Sequence, residues 1–362
     1  MMHFKRAFIT GGAGFIGSRL AVSLKQRGVE VTIFDSFHPQ VHNANSRRAI
    51  DCLGVNVFES DVADASALKT AMSRANPDIV YHLAAETGTG QSYEEPGRYS
   101  SVNVIGTSNL IEALRQLPKH NRRVVLAGSR AVYGEGAYVN SSGNVCSTVG
   151  RAVADMNAGR FGVYDENQDE LKPIATPETF APIPASVYAS TKLMQELLLQ
   201  QCSVEGDYEI GLLRFQNVYG PGQSLKNPYT GVLSIFASQI LQGKTLNIFE
   251  DGNILRDFVY VSDVVDSLVR CGEIDQLPTG PVNIGSGQAT TILDTAKSLL
   301  RHLCGDERKY EVSGAFRPGD VRNAIANIDK AKQQLSWAPK VELEQGLSHL
   351  ANWAKESLQD AF

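Results

Sequence analysis

The chain has 362 residues, of which 43% are hydrophobic, enough for a large core and about two domains. Its 34 basic and 39 acidic residues leave a formal charge of −5 with no basic run, so nucleic acid is not an expected partner. No cationic segment followed by a long apolar stretch opens the chain, and no apolar window approaches the roughly 18 residues of a membrane span, so neither a signal peptide nor a membrane partner is expected.

The first half alternates short apolar runs with helical patterns. Strands are predicted over 6–10, 31–35, 55–61, 78–85 and 122–129, and helices over 14–27, 65–75 and 103–117. Runs rich in Val, Ile, Leu and Phe that alternate with helices predict an α/β fold, a doubly wound parallel sheet covered on both faces. From 134 to 179 the pattern breaks down into a polar, Gly- and Asn-rich insert, the kind of stretch that forms lids or inserted subdomains. A helix resumes at 188 and runs to about 204, followed by a strand over 210–216 and helices near 291–304 and 343–357. This tail reads as a smaller α/β substrate domain. Cys52, Cys146, Cys202, Cys271 and Cys304 are scattered without a Cys-x-x-Cys pair. They form neither a disulfide framework nor a metal site, and they suit a reducing cytoplasm.

Between the first strand and first helix lies Thr10-Gly11-Gly12-Ala13-Gly14-Phe15-Ile16-Gly17. Gly11, Gly14 and Gly17 have the G-x-x-G-x-x-G spacing that lets a backbone turn tightly and approach a pyrophosphate at a helix N-terminus. Asp35 follows at the end of the second strand, where a carboxylate accepts both adenosine ribose hydroxyls and repels a 2′-phosphate. Ser36, Phe37 and His38 come next, with no adjacent arginine, so NAD is expected rather than NADP. Asp61 and Val62 end the third strand, and Asp61 reads either as an adenine contact or as a helix N-cap.

Tyr188-Ala189-Ser190-Thr191-Lys192 places Tyr and Lys at i and i+4 on one helix face. A free tyrosine titrates near about 10, and a neighbouring ammonium favours its phenolate, so a general base is available without histidine. Ser129, at the carboxyl end of the fifth strand, lies where doubly wound sheets bind ligands. It reads as a hydrogen-bond donor to a substrate oxygen, or as a turn serine.

Taken together, TGGAGFIG (10–17), HLAAET (82–87), NVIGT (103–107), SRAVYG (129–134), YASTK (188–192), LRFQNVYGPG (213–222), RDFVYVSDV (256–264) and RPGD (317–320) resemble the extended short-chain dehydrogenases of the nucleotide-sugar epimerase/dehydratase group. The resemblance implies that Leu83, Ala84, Ala85 and Thr87 line the cofactor with Gly11, Gly14, Phe15, Ile16 and Gly17, and that Asn103 sits behind it. It makes Tyr188 the base, Lys192 a contact to the cofactor ribose, and Ser129 the third catalytic residue. Asn217, Arg256, Arg317 and Asp320 become contacts to the nucleotide sugar. Asn103 could equally cap its helix, and Arg256 could pair with Asp257. His82 reads as a strand residue and not as a ligand.

The resemblance also implies a discontinuous organisation. Residues 1–216 and about 249–279 form the cofactor domain, and about 217–248 with 280–362 form the substrate domain. A homodimer is implied through the helix near 103–117 and the Tyr188 helix, whose Met194, Leu197, Leu198 and Leu199 spread apolar surface round its circumference.

Dehydratases of the group carry an Asp-Glu pair directly after the serine or threonine. Here those positions hold Arg130 and Ala131, which cannot serve as that acid and base. What remains is oxidation at a sugar carbon and return of the hydride to either face, an epimerisation most often at C4; a nucleotide-sugar reductase or decarboxylase is the enzymatic alternative, and a non-catalytic NAD-bound scaffold, against which the intact Ser129, Tyr188 and Lys192 argue, is the other. AETGTGQS (85–92), SRAVYGEGAY (129–138) and NPYTG (227–231) further resemble bacterial dTDP-L-rhamnose 4-epimerase-like proteins. Many of those have cysteine pairs in the insert; here only Cys146 remains, and no metal is assigned.

Overall fold

The computed structural model describes residues 4–42, 44–148, 150–203, 208–225, 227, 231–317 and 319–359, with the backbone alone at 44–46 and 358–359. The main sheet is built from β1 (Arg6–Thr10), β2 (Glu30–Asp35), β3 (Asn56–Glu59), β4 (Ile79–His82), β5 (Arg123–Ser129), β6 (Glu209–Phe215) and β7 (Pro281–Ile284). All seven are parallel, in the order β7-β6-β5-β4-β1-β2-β3. Except in the edge strand β3, whose Val57 and Phe58 are half-buried, their central residues are buried on both faces, which explains why the sequence shows continuous apolar runs there and not a two-residue alternation.

Helices cover both faces. One face takes α1 (Gly17–Gln26), through Leu20, Ala21 and Leu24, and the helix Val261–Glu273, through Val264, Val265 and Leu268. The other takes the helices Ala65–Ala75, Gly106–Arg115 and Val187–Cys202, through Leu68, Met72, Leu110, Leu114 and Leu199. The strand order reverses between β1 and β4, and ligands of open α/β sheets bind beyond the strand ends at such a point.

A second core lies outside the sheet. Leu233, Phe236 and Ile240 of the helix Val232–Leu241 pack with Leu299 and Leu300 of Ile292–Cys304 and with Leu347 and Leu350 of Leu343–Gln359.

The structure corrects the expected domain boundary. Residues 281–284 were assigned to the substrate domain, yet they form β7 at the edge of the main sheet. Ala331, Leu335 and Trp337 also pack into the core beneath that sheet. A four-residue strand that begins at Pro281 and is followed by Gly285 is too short to show its period, and its partner β6 lies about 70 residues away in sequence.

The insert is also more ordered than its composition suggests. The short strands Tyr138–Val139, Val145–Cys146 and Lys172–Pro173 form one antiparallel sheet. Tyr138, Val163 and Leu171 make a small core beneath it. Arg151 of the insert is ion-paired with Glu135 at 3.4 Å and with Glu250 at 2.9 Å, all buried. Arg322 pairs with Glu250 and Asp251 at 2.7 Å and gives its amide to Glu135. The insert is therefore bound to the second lobe by the buried Arg151–Glu250 pair and by the Arg322 amide on Glu135, which no local sequence pattern displays.

Candidate active site

At the carboxyl end of β1 the chain turns sharply. Gly11 has φ +67°, and a Cβ there would stand 2.7 Å from the Ala84 amide nitrogen. A Cβ on Gly17 would stand 2.2 Å from the Gly11 carbonyl oxygen. Side chains are thus sterically excluded where loop, strand and helix meet. Around Gly14 the space is less tight, the nearest atom being Gly11 O at 3.2 Å. The N-terminus of α1, at Ile16, has no side-chain cap; the Ser18 amide goes to the Gly14 carbonyl at 3.0 Å, and the positive end of the helix faces the loop, where an anion is favoured. Phe15 lies under the Arg19 guanidinium at 4.9 Å, and Ile16 packs on the core.

Asp35 is buried and faces this loop. Its carboxylate accepts the amides of Ala13 at 2.9 Å and Phe37 at 2.8 Å, and His42 Nε2 lies 3.2 Å from it. An uncapped helix start, a loop a Cβ would fill and a buried acid at the end of β2 fit a dinucleotide with a free ribose. Leu83 and Ala84 follow β4 and are tied to β1 through Thr10 O and Oγ1. Thr87 is exposed and accepts the Tyr99 hydroxyl on its carbonyl at 2.6 Å. Val62 is buried against Gly106. Asp61 is exposed and accepts the Ala63 amide at 2.8 Å. It is not the helix cap: Asp64 is, accepting the amides of Ser66 and Ala67.

Asn103 is fully buried inside a π-helical turn, Ser100–Ile105, and is not a cap. Its side chain accepts the Glu86 amide at 2.8 Å and donates to Thr191 Oγ1 at 2.9 Å. It therefore fastens the segment after β4 to the helix that carries Tyr188 and Lys192. That helix starts at Ser186, whose hydroxyl accepts the Ala189 amide at 3.1 Å.

The expected trio comes together only in part by direct contact. Tyr188 lies close enough to Ser129 for the serine side chain to favour its phenolate. Lys192 is buried on the next turn and donates to Gln195. The sequence suggests a lowered tyrosine pKa, but burial pushes Tyr188 up, and Ser129 opposes the rise. In the chain alone, desolvation of the phenolate outweighs the help that Ser129 gives it. Burial lowers Lys192 to about 8, with Glu196 opposing. Glu196 is itself held by Arg214 at 2.6 Å, both buried.

The expected substrate residues divide. Arg256 reaches Asp320 at 3.4 Å and donates to the Val321 carbonyl at 2.9 Å. Its sequence neighbour Asp257 turns inward to the Ser286 amide at 2.6 Å and the Gly287 amide at 3.0 Å, so the alternative Arg256–Asp257 pair does not form. Arg317 is exposed, its guanidinium stacks 5.0 Å over Phe249, and its carbonyl accepts the Asp320 amide at 3.1 Å. Asn217 starts a two-stranded parallel ladder with Phe258–Tyr260 and is half-buried. Pro228, Tyr229 and Thr230 of the NPYTG motif, and Pro318 of RPGD, lie outside the described residues.

Arg130 does more than replace the acid of a dehydratase. Its guanidinium donates to the Gly134 carbonyl at 2.6 Å, and burial together with the like charge of Arg256 lowers it to about 10. Two arginines, Arg130 and Arg256, thus act on each other one residue after Ser129, with Glu135 and Asp320 close by.

Residues 7–285 match the NAD dependent epimerase/dehydratase family. The chain belongs to that family. It is accordingly an NAD-dependent enzyme, and its loop geometry and Asp35 agree with that cofactor. A dTDP-L-rhamnose 4-epimerase from Burkholderia thailandensis is 39% identical over 98% of this chain and 96% of its own. A UDP-N-acetyl-alpha-D-glucosaminuronate decarboxylase from Bacillus cytotoxicus is 28% identical over 98% and 99%. Among solved structures, the UDP-glucuronic acid 4-epimerase of Bacillus cereus, in complex with UDP-glucuronic acid and NAD, superimposes with a TM-score of 0.79. It is 26% identical over 97% of this chain and 99% of its own. No described helix is long and apolar enough to cross a membrane. Among the described residues no cluster of His, Cys, Asp or Glu could hold a metal ion.

Proposed function

We infer that this NAD-dependent nucleotide-sugar epimerase acts at C4 of a dTDP-6-deoxyhexose such as dTDP-L-rhamnose, through a transient 4-keto sugar. The observation that carries this reading is Tyr188 beside Ser129, with Arg130 and Ala131 directly after that serine instead of an acid pair. Tyr188 takes the sugar hydroxyl proton and later returns it, Ser129 holds the same oxygen, and Lys192 supplies positive charge to both Tyr188 and the cofactor ribose. NAD supplies the hydride acceptor and, afterwards, the hydride donor.

Gly11, Gly14, Phe15, Ile16 and Gly17 hold the pyrophosphate, Asp35 the ribose, and Asp61 and Val62 the adenine side. Leu83, Ala84, Ala85, Thr87 and Asn103 shape the wall between adenosine and nicotinamide. Arg256, Asp320, Arg317 and Asn217 receive the nucleotide sugar from the lobe around the second core. Arginine suits that role because its planar fork binds phosphate through two donors. With neither acid nor base beside Ser129, the 4-keto sugar has no route to lose water. It turns about its diphosphate tether and is reduced on the other face.

The working unit is a homodimer in the cytoplasm. Ile105, Met194 and Leu197 are exposed apolar side chains on two helices that pack against each other. They suit burial against the same helices of a second copy. The test is direct. Purified protein is incubated with a panel of dTDP- and UDP-sugars and the products are read by NMR. The expected product is the C4 epimer of a dTDP-6-deoxyhexose. Conversion of UDP-sugars alone overturns the substrate assignment, and release of carbon dioxide points to the decarboxylase reaction.

A further inference from the structure

Lys192 is not left to the solvent, nor does it pair directly with a carboxylate. Its ammonium donates to the side-chain oxygen of Gln195, which is 0% exposed. The amide nitrogen of Gln195 donates to Thr107 Oγ1 at 2.9 Å. The Thr107 hydroxyl proton goes to the Asn103 carbonyl at 2.6 Å, so toward His82 Nε2, 2.9 Å away, Thr107 is an acceptor. That fixes the His82 proton on Nε2 and leaves Nδ1 to accept the Thr10 hydroxyl at 2.7 Å. Thr10 Oγ1 in turn accepts the Ala84 amide at 3.2 Å. Gln195 and His82 approach at 3.2 Å with two donors, a contact and not a hydrogen bond. Every link therefore has one donor and one acceptor, and the chain of bonds ends beside Gly11. Burial, aided by the Lys192 ammonium, pushes His82 down to about 3, so it stays neutral in this network.

We propose that Gln195 is a positioning residue for Lys192: it offers the ammonium a neutral acceptor and ties it, through Thr107 and His82, to Thr10 and the turn that holds the cofactor. The proposal rests on the reading of Lys192 as the partner of Tyr188 and of the cofactor ribose. An ammonium has three donors, and one bond to Gln195 leaves two for those partners. A carboxylate at this position would cancel the charge that Tyr188 needs. An apolar residue would leave a buried N–H unsatisfied and ease loss of the proton. The charged and titratable groups that face Lys192 are Glu196, which Arg214 holds, neutral His82 and Tyr188 on the preceding turn.

The experiment measures NAD affinity by calorimetry from about pH 6.5 to 9.5 for the wild type, Q195M and Q195E, with thermal unfolding as the check on folding. Affinity for the wild type is expected to weaken as pH rises through about 8, where Lys192 loses its proton. In Q195M that inflection moves down by about one unit, and in Q195E it moves up by about one unit, the size expected for losing an acceptor or gaining a charge. Folded variants whose inflections coincide with the wild type overturn the proposal, since a purely structural glutamine would lower the melting temperature and leave the inflection in place. If neither variant folds, T107V removes the anchor of Gln195 and must shift the inflection down as Q195M would; an unshifted T107V overturns the proposal equally. A wild type that binds NAD with no inflection near 8 overturns it while NAD dependence stands. A wild type that binds no NAD overturns both.

Discussion

Replacing Gly17 by alanine is the sharpest steric test of the cofactor loop. Gly17 opens α1, where alanine should favour the helix by about 0.8–1 kcal/mol relative to glycine. Yet the added Cβ would lie 2.2 Å from Gly11 O and 2.8 Å from Gly12 Cα, both backbone atoms of the loop. Ordinary carbon contacts begin near about 3.5 Å, so relief demands movement of about 1 Å. Overpacking of this kind costs about 1–3 kcal/mol, which exceeds the helix gain and leaves a net loss of up to about 2 kcal/mol. The same movement displaces the amides that face the pyrophosphate, and about 1.4–2.8 kcal/mol of lost binding is a 10- to 100-fold rise in Kd. Gly97 is the control: it lies in the exposed helical turn Pro96–Tyr99 with no atom within 4 Å of its added Cβ. Gly97→Ala should leave NAD binding alone and stabilise by about 0.5–1 kcal/mol. Urea unfolding and NAD titration measure both variants. A Gly17→Ala protein that is more stable than wild type and binds NAD with unchanged affinity would refute the packing argument.

Tyr188→Phe should fold, bind NAD and lose about 10²–10⁴-fold in turnover, because only the proton-transferring oxygen is removed; steady-state activity within a few-fold of wild type would exclude it as the base. His82 should make the fold acid-sensitive. It is held neutral down to about 3, whereas in the unfolded chain it takes up its proton near about 6.5. Its contribution is therefore complete above pH 6.5 and is lost as pH falls toward 3, by about 2 kcal/mol at pH 5. Urea unfolding of wild type and His82→Gln at pH 7 and 5 measures the difference, and equal acid slopes in the two proteins contradict it. Sedimentation at micromolar concentration should show a dimer, and a 39.3 kDa species alone would contradict the apolar face of Ile105, Met194 and Leu197 as an interface.

The part of the fold made by local periodicity was readable before any coordinates. The strand 6–10 and the helix 65–75 coincide with β1 and Ala65–Ala75 residue for residue, because apolar runs of five and helical spacing over 11 residues leave no ambiguity. The family signature also brought Gly11, Gly17, Asp35, Ser129 and Tyr188 into view, and the first three meet at one turn. What escaped was made by distant partners. The insert is held by Arg151 on Glu250 and by the Arg322 amide on Glu135, distant partners that a polar stretch read as a solvated loop does not display. The strand 281–284 owes its place to β6 and not to its own length. Gln195 is polar on a helix that reads as an apolar surface, and its role becomes visible only when Thr107 and His82 arrive from two other elements. Burial likewise reversed the expected direction of the Tyr188 shift, since sequence spacing shows the neighbouring ammonium but not the loss of water.

The central claim is that hydride leaves a sugar carbon and returns to the same carbon on the other face. The most direct measurement uses dTDP-L-rhamnose carrying deuterium at C4, incubated with enzyme and catalytic NAD, with mass and stereochemistry read on the product. The expected result is a product of unchanged mass, inverted at C4, with the deuterium retained and no NADH accumulating. A product lighter by water or carbon dioxide, loss of the label to solvent, or NADH formed in proportion to substrate would contradict the epimerase mechanism.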